Sequence, residues 1–342
     1  MRSEPCPRKL RPHETALQVI RQVNPYNSNP MGIMHGGHML EWIVDTATLV
    51  SMNVARSYTL LASIEDTVFV SPVKVGDLVR LTAWAEYVGR SSIDVSVMVE
   101  TEDPRTGTGS LSTASSLTLV AVDEDLKPRP VGACIEIREP FEEEILRQAL
   151  KRRAEREARI KGRKGAIQDL ARPRPIVEGA EITSFFLVSP EDSVGYKVLH
   201  GGRLLRRLDE ISALAVLRNT RDVVVTGALD AMDFYLPIKV GWIVEIHSSL
   251  SYIGTRSMEV TTKVFAENYV SGETYHAATS YFTFVKMGRE EARKVAEMQE
   301  PEDARRRRER RKRIIEALRS RETVERLSEV KRKLLNTHRA PR

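Results

Sequence analysis

One tripeptide occurs twice in this chain, as His35-Gly36-Gly37 and His200-Gly201-Gly202, 165 residues apart. The polar groups around it are divided between the two copies. Six positions before the histidine the first copy has Asn29 and the second Val194; nine positions after it the first has Val44 and the second Asp209. A carboxylate on a water-poor helix face can serve as a general base or, alternatively, as a nucleophile. A carboxamide supplies both a donor and an acceptor. The open N–H groups of a helix that begins at Gly36 or Gly37 can stabilise negative charge as it develops, and glycine there admits a close-lying substrate.

These residues need a scaffold, and the repeat describes it. The offset of 165 holds without a gap: Phe69, Pro72, Lys74 and Gly76 recur as Phe234, Pro237, Lys239 and Gly241, and Gly89, Ser92 and Thr118 as Gly254, Ser257 and Thr283. A period this long means a duplicated domain and not a solenoid. In the first copy Ala16–Val23 reads as a strand, matched by Glu181–Val188 in the second. Each leads through a proline-bearing loop to the glycine pair and then to a helix, the first running on to Ala55, with apolar residues on so much of its circumference that other elements must wrap it. Four more strands, near residues 60–70, 77–88, 92–101 and 110–122, complete a β-α-β-β-β-β unit. The expected fold class is α+β, divided as 14–137, a charged helical linker over 138–177 with its helix at Phe141–Ile160, 178–287, and a helical tail over 288–342. Residues before 14 read as a loose lead-in.

Bulk properties narrow the options. The total charge of +6 is misleading: Lys286–Arg342 holds 20 Lys and Arg against 11 Asp and Glu, so the preceding residues carry a net −3. Nucleic acid is therefore an unfavoured partner for the folded repeats. The tail reads as an amphipathic helix that packs on its own or a neighbouring subunit, with contact between its arginine cluster and RNA or anionic lipid as the competing expectation. A charged fraction of 29% suits ion-pair networks. No apolar run is long enough to span a membrane, and Met1–Pro5 lacks the start of a signal peptide, which leads to an expectation of a cytosolic protein. Cys6 and Cys134 cannot build a disulfide framework and have no metal-type spacing, so neither metal nor thiol chemistry is expected.

The helix opened by His-Gly-Gly, the phrase Phe69-Val70-Ser71-Pro72-Val73-Lys74-Val75-Gly76-Asp77 and the strand start Gly89-Arg90-Ser91-Ser92 together resemble the hotdog-fold acyl-CoA thioesterases, and the duplication resembles the tandem, cytosolic brain-type acyl-CoA hydrolases. The resemblance covers about residues 14–123 and 179–287. It implies two hotdogs, each a sheet wrapped around its helix, paired so that their sheets become continuous. It also implies active sites that take an Asn from one hotdog and an Asp from the other. Asn29 and Asp209 would then form one complete site, and Val194 and Val44 would mark a dead one. Asp209 would activate water, Asn29 would orient the water or the thioester carbonyl, and His35, Gly36 and Gly37 would supply the oxyanion site.

Coenzyme A would enter as part of the substrate, with no separate cofactor, and its binding is expected at Arg90, Ser91, Ser92, Arg256 and Ser257. His35 and His200 read as hydrogen-bonders at the helix entrance, since both copies keep them. Asp45 and Glu210, turned about 100° from the catalytic position, read as supporting, with Asp45 in reserve. The resemblance implies a homo-oligomer of three chains. A non-catalytic acyl-CoA sensor is the alternative, and a hotdog dehydratase or hydratase a second one. Acyl-chain preference is not legible.

Overall fold

The computed structural model describes residues 6–336 apart from 163, 164, 177, 196, 289, 290 and 293–299. Met1–Pro5, read above for a leader, and the end of the tail lie outside the described residues. The long helices are α1 (Gly36–Ala55), α2 (Pro140–Lys161), α3 (Gly201–Thr220), α4 (Glu302–Arg319) and α5 (Arg321–Asn336). The strands of the first copy are β1 (Leu17–Gln22), β2 (Thr59–Ile64), β3 (Thr67–Val68), β4 (Leu78–Val88), β5 (Ser92–Glu102) and β6 (Gly109–Ala121). Those of the second are β7 (Glu181–Leu187), β8 (Val224–Leu229), β9 (Met232–Asp233), β10 (Ile243–Ile253), β11 (Ser257–Asn268) and β12 (Glu273–Lys286).

Each copy folds as expected, a central helix enclosed by an antiparallel sheet. Helix α1 is buried nearly all round, with Leu40, Ile43, Val44, Ala47 and Val50 fully inaccessible, and each large side chain so enclosed contributes roughly 2 kcal/mol. It ends at Arg56 and α3 ends at Arg221, both left-handed C-caps with φ of 54° and 59°.

The strand expected at residues 60–70 breaks. After Ile64 the chain crosses to the other sheet, and β3 pairs with β8 while β9 pairs reciprocally with β2. The sheet orders are therefore β9-β2-β6-β5-β4-β1 and β3-β8-β12-β11-β10-β7. Each copy donates a two-residue strand to the other's edge, which satisfies backbone groups that would otherwise be left open beside the core.

The lead-in is not loose. Lys9–Leu10 pairs with Cys134–Ile135, and Cys6 and Cys134 form a disulfide, so the two cysteines act as one staple. The linker helix matches its expected span, and its charge has a structural purpose. Arg156 of α2 is buried against Asp94 at 2.9 Å and against Thr118, Arg152 meets the buried Glu86, and Arg159 bridges Glu65 (3.0 Å) and Asp233 (2.8 Å), one from each copy.

The tail does the same for the second sheet. Arg311 of α4 is buried between Asp230 (2.6 Å) and Glu259 (3.1 Å), and Arg307 also reaches Glu259. Asp230 and Glu259 occupy the positions of Glu65 and Asp94 shifted by 165. Helices α2 and α4 are thus counterparts, and the repeat extends through a helix that clamps each sheet. This corrects the competing nucleic-acid or lipid expectation for part of the arginine cluster: Arg307, Arg310 and Arg311 are bound to acidic residues of the protein's own body. Helix α5 follows a break at Ser320 and packs Leu334 with Trp84, Met98 and Leu318.

Removing one partner of a buried ion pair leaves the other charge uncompensated. Arg156→Ala is therefore expected to destabilise the protein by about 3 kcal/mol or more in urea unfolding, and Asp94→Ala in the same chain should recover part of that loss. An Arg156→Ala protein as stable as the parent would show that α2 is not held by this pair.

Candidate active site

The two central helices cross at their N-terminal ends, and glycine sets their separation. A Cβ on Gly36 would lie 2.4 Å from the Thr226 side chain, and one on Gly37 would lie 2.9 Å from the Arg206 carbonyl and 3.0 Å from Asp209. No larger residue fits without moving the second copy's helix or its strand β8. This approach brings Asp209, on α3, against the start of α1.

Asp209 is fully buried. Its Oδ2 accepts the Gly37 N–H at 2.7 Å and lies 2.7 Å from His35 Nδ1, while the Thr226 hydroxyl donates to Oδ1 at 2.9 Å. His35 Nδ1 is also 3.4 Å from the Gly37 nitrogen. One ring nitrogen cannot donate and accept through the same position, so the shorter contacts decide: Nδ1–H donates to Asp209, and so does Gly37. Burial alone would lower the His35 pKa, but the charge and hydrogen bond of Asp209 outweigh it and raise the value above the ordinary one. His200, at the equivalent position, is shifted the other way, because burial lowers its pKa and the nearest carboxylate, Asp45, is 3.7 Å away. His38 is lowered to about 4 by burial and the nearby Arg206 charge, and is neutral at pH 7.

The structure therefore brings together His35, Gly36, Gly37 and Asp209 as read from sequence, with two corrections. Gly37 is not an open oxyanion donor, since its N–H is taken by Asp209; Gly36 N–H has no acceptor among the described residues. His35 is more than a hydrogen-bonder at the helix entrance, because its Nδ1 lies 2.7 Å from the buried carboxylate of Asp209 in the other copy.

Asn29 is not bonded to this cluster. Its Oδ1 accepts the Met31 and Ile33 N–H groups at 3.0 and 3.1 Å. Two N–H donors fix the carboxamide orientation, so only its Nδ2 donors are left for a ligand. Asp45 pairs with Arg21 and Glu210 lies 3.6 Å from Arg206, as supporting residues would.

Thr226 was missed by sequence reading. Its counterpart is Leu61, so the same polar-to-apolar contrast that singled out Asp209 could have found it. Around Gly201 the matching contacts are apolar: a Cβ there would meet Leu61 at 2.7 Å, and Val44 takes the place of Asp209.

A cleft of about 530 Å³ opens at Gly36 and Thr226, and Met34, Met39, Phe69 and Val225 contribute to its walls. Of the five residues expected to bind CoA, only Ser257 lines it. Arg90, Ser91 and Ser92 belong to the other copy, with Ser92 Oγ 3.3 Å from Arg153, and the Arg256 guanidinium donates to the Lys286 and Gly288 carbonyls at 3.3 and 2.6 Å. Among the described residues no cluster of His, Cys, Asp and Glu is placed to hold a metal, and no helix is long and apolar enough to cross a membrane.

A family profile described as thioesterase superfamily matches this chain twice, at residues 31–108 and 196–272. The cytosolic acyl coenzyme A thioester hydrolase of Rattus norvegicus is 29% identical over 289 residues, spanning 80% of this chain and 75% of that protein. The Homo sapiens protein of the same name is 29% identical over 285 residues, 79% of this chain and 74% of that one. Among solved structures, the acyl-CoA hydrolase of Staphylococcus aureus in complex with butyryl coenzyme A and coenzyme A is 29% identical, covering 46% of this chain and 94% of that one with a TM-score of 0.43. Each of the two profile matches contains one of the glycine pairs, so a thioesterase-superfamily domain is found twice in this chain.

Proposed function

We propose that the protein hydrolyses acyl-CoA thioesters to a free acid and coenzyme A at a single composite site per chain. The observation that carries this reading is the buried Asp209 carboxylate, held by His35, Gly37 and Thr226, the last of which lines the cleft at Gly36. The names of the relatives in rat and human support the substrate class and a cytosolic setting.

Two donors fill Asp209 Oδ2, so the lone pair open to a water is on Oδ1, beside Thr226. A water held between Thr226 Oγ1 and Asp209 Oδ1 gives its proton to Asp209 as its oxygen bonds to the thioester carbonyl carbon. Gly36 N–H, at the positive end of α1, stabilises the resulting oxyanion, with Asn29 Nδ2 as a second donor. The tetrahedral intermediate collapses, the C–S bond breaks, and the proton on Asp209 passes to the departing thiolate. Asp209 acts as base in this sequence; its tie to three donors disfavours nucleophilic attack.

The proposed assembly is three chains in a ring. Ile20 and Phe185, the same position in the two copies, are outward-facing and half or more exposed on the terminal strands β1 and β7, leaving apolar surface on both edges. Sedimentation equilibrium should give the mass of three chains; a monomer would refute the ring.

Turnover is tested with an acyl-CoA panel from acetyl to palmitoyl, followed by thiol release. Asp209→Asn should reduce kcat by two or more orders of magnitude, since removal of a general base typically costs roughly 100- to 10,000-fold. Val44→Ala should change packing and leave kcat near the parent value. Acyl-CoA binding with no turnover in the parent would identify a sensor instead.

The contact between His35 and Asp209 has its own pH signature. A raised His35 pKa means that the folded state binds this proton more tightly than the unfolded state. The resulting stabilisation is complete below the ordinary value of 6.5 and is lost as pH rises through the folded value. The stability difference between the parent and His35→Gln should therefore shrink between pH 6 and pH 9 in urea titrations. A difference that does not change with pH would rule out a protonated His35 facing Asp209.

A further inference from the structure

The cleft at Gly36 has a wall that the superfamily match does not include. Helix α4 begins at Glu302, beyond the second matched segment, which ends at residue 272. One of its faces lines this cleft with Arg308, Lys312 and Arg319, at spacings i, i+4 and i+11, which spread three cationic side chains over about 16 Å of helix. Arg311 lines it too, but its guanidinium is held by Asp230 and Glu259. The other three are exposed. Lys312 has only a 4.0 Å contact with Glu316, Arg319 donates to the Val70 carbonyl at 3.2 Å, and Arg308 pairs with Glu300 at 2.7 Å.

The duplication supplies an internal control. The counterpart cleft at Gly201, of about 300 Å³, is lined by Leu61, Phe234 and other uncharged residues, with no basic side chain. Where α4 approaches the first cleft, Leu126 and Pro128 line the second. Buried hydroxyls differ in the same sense. Ser112 and Thr283 are among the residues of the cleft at Gly36, and their buried hydroxyls have no hydrogen-bond partner among the described residues. Their counterparts in the other half are Ala277, which has no hydroxyl, and Thr118, whose hydroxyl donates to Asp94 at 2.7 Å. Cationic side chains and unsatisfied hydroxyls thus occur among the residues lining the cleft at Gly36 and not among those lining the cleft at Gly201. A buried hydroxyl without a partner costs free energy that a polar ligand would recover.

We propose that α4 is part of the substrate site, with Lys312, Arg319 and Arg308 holding the phosphate groups of the CoA nucleotide at the cleft mouth, and Ser112 and Thr283 meeting the amides of the pantetheine arm. The assignment rests on the acyl-CoA reading above. It replaces Arg90 and Arg256 with a cationic face that lies on the cleft. A phosphate against exposed cations gains charge-assisted hydrogen bonds and loses affinity as salt screens them.

The test is calorimetric binding of CoA and of pantetheine, which lacks the nucleotide, to the full chain and to its Lys312→Ala/Arg319→Ala double variant. Both side chains are exposed, so the fold should survive. The variant should bind CoA about ten-fold or more weakly at low salt, with a smaller difference at high salt, and should bind pantetheine like the parent. KM for acyl-CoA should rise with kcat retained, whereas hydrolysis of an acyl N-acetylcysteamine thioester, which carries no phosphate, should be unaltered. Unchanged or tighter CoA binding would overturn the proposal, as would an equal loss for pantetheine. Failure of the catalytic reading looks different: the parent would bind CoA through these charges and cleave neither thioester.

Discussion

The architecture depends on how closely two helices can approach where they cross. Asp209 is fully buried, and a buried carboxylate is tolerated only where donors replace the water it has lost. Those donors are at the end of the opposite helix, and they reach Asp209 because Gly36 and Gly37 have no side chains to separate α1 from Thr226 and Arg206. The positive end of the α1 dipole adds to the stabilisation of the anion. The separation of the helices thus controls the position of the carboxylate, the protonation of His35 and the shape of the cleft mouth together.

Duplication let this crossing become asymmetric. Glu41 and Arg206 occupy the same position in the two copies, and they form an ion pair with each other at 3.2 Å across the crossing, with Arg203 adding a second contact to Glu41 at 2.9 Å. Two identical subunits related by a twofold axis would place like residues there, and like charges repel. Burial raises the Glu41 pKa and the Arg206 charge opposes that shift, so the pair is coupled to the same desolvated region as Asp209. Val44, Leu61 and Val194 show the complementary change, apolar side chains at the positions of Asp209, Thr226 and Asn29.

Much of this was legible because the repeat runs without a gap. A fixed offset turned each pair of positions into a comparison and singled out Asn29 and Asp209, while the central helix followed from its apolar pattern and the linker helix from its charged, helix-favouring composition. Thr226 escaped because strand residues alternate in exposure, so a threonine there reads as an ordinary strand-former until the helix it touches is known. The crossing of β3 and β9 escaped because pairing between copies is non-local and leaves no periodic signature. The tail's packing as an amphipathic helix on its own subunit was legible, but its charge partners were not, because net charge does not report partners: Arg307 and Arg311 pair with Asp230 and Glu259, which lie far away in sequence.

The persistence of His-Gly-Gly in the half without Asp209 has a steric explanation. A Cβ on Gly201 would strike Leu61 at 2.7 Å, and one on Gly202 would come within 3.1 Å of the Glu41 backbone. The crossing is close to symmetric even though the chemistry is not, so both glycine pairs are required to bring the helices together, and His200 stands at the start of its helix with no side-chain capping bond and no carboxylate as near as Asp209 is to His35. In this fold the glycine pair reports how near two helices lie, while the residue nine positions after the histidine of the opposite copy reports whether that proximity is used. Asp209 faces the first glycine pair and Val44 the second, and the charges on α4 and the unsatisfied hydroxyls of Ser112 and Thr283 lie on the Asp209 side. Features unrelated in sequence thus converge on one half of a duplicated framework, which is the distribution expected if substrate binding and catalysis have been confined to a single cleft.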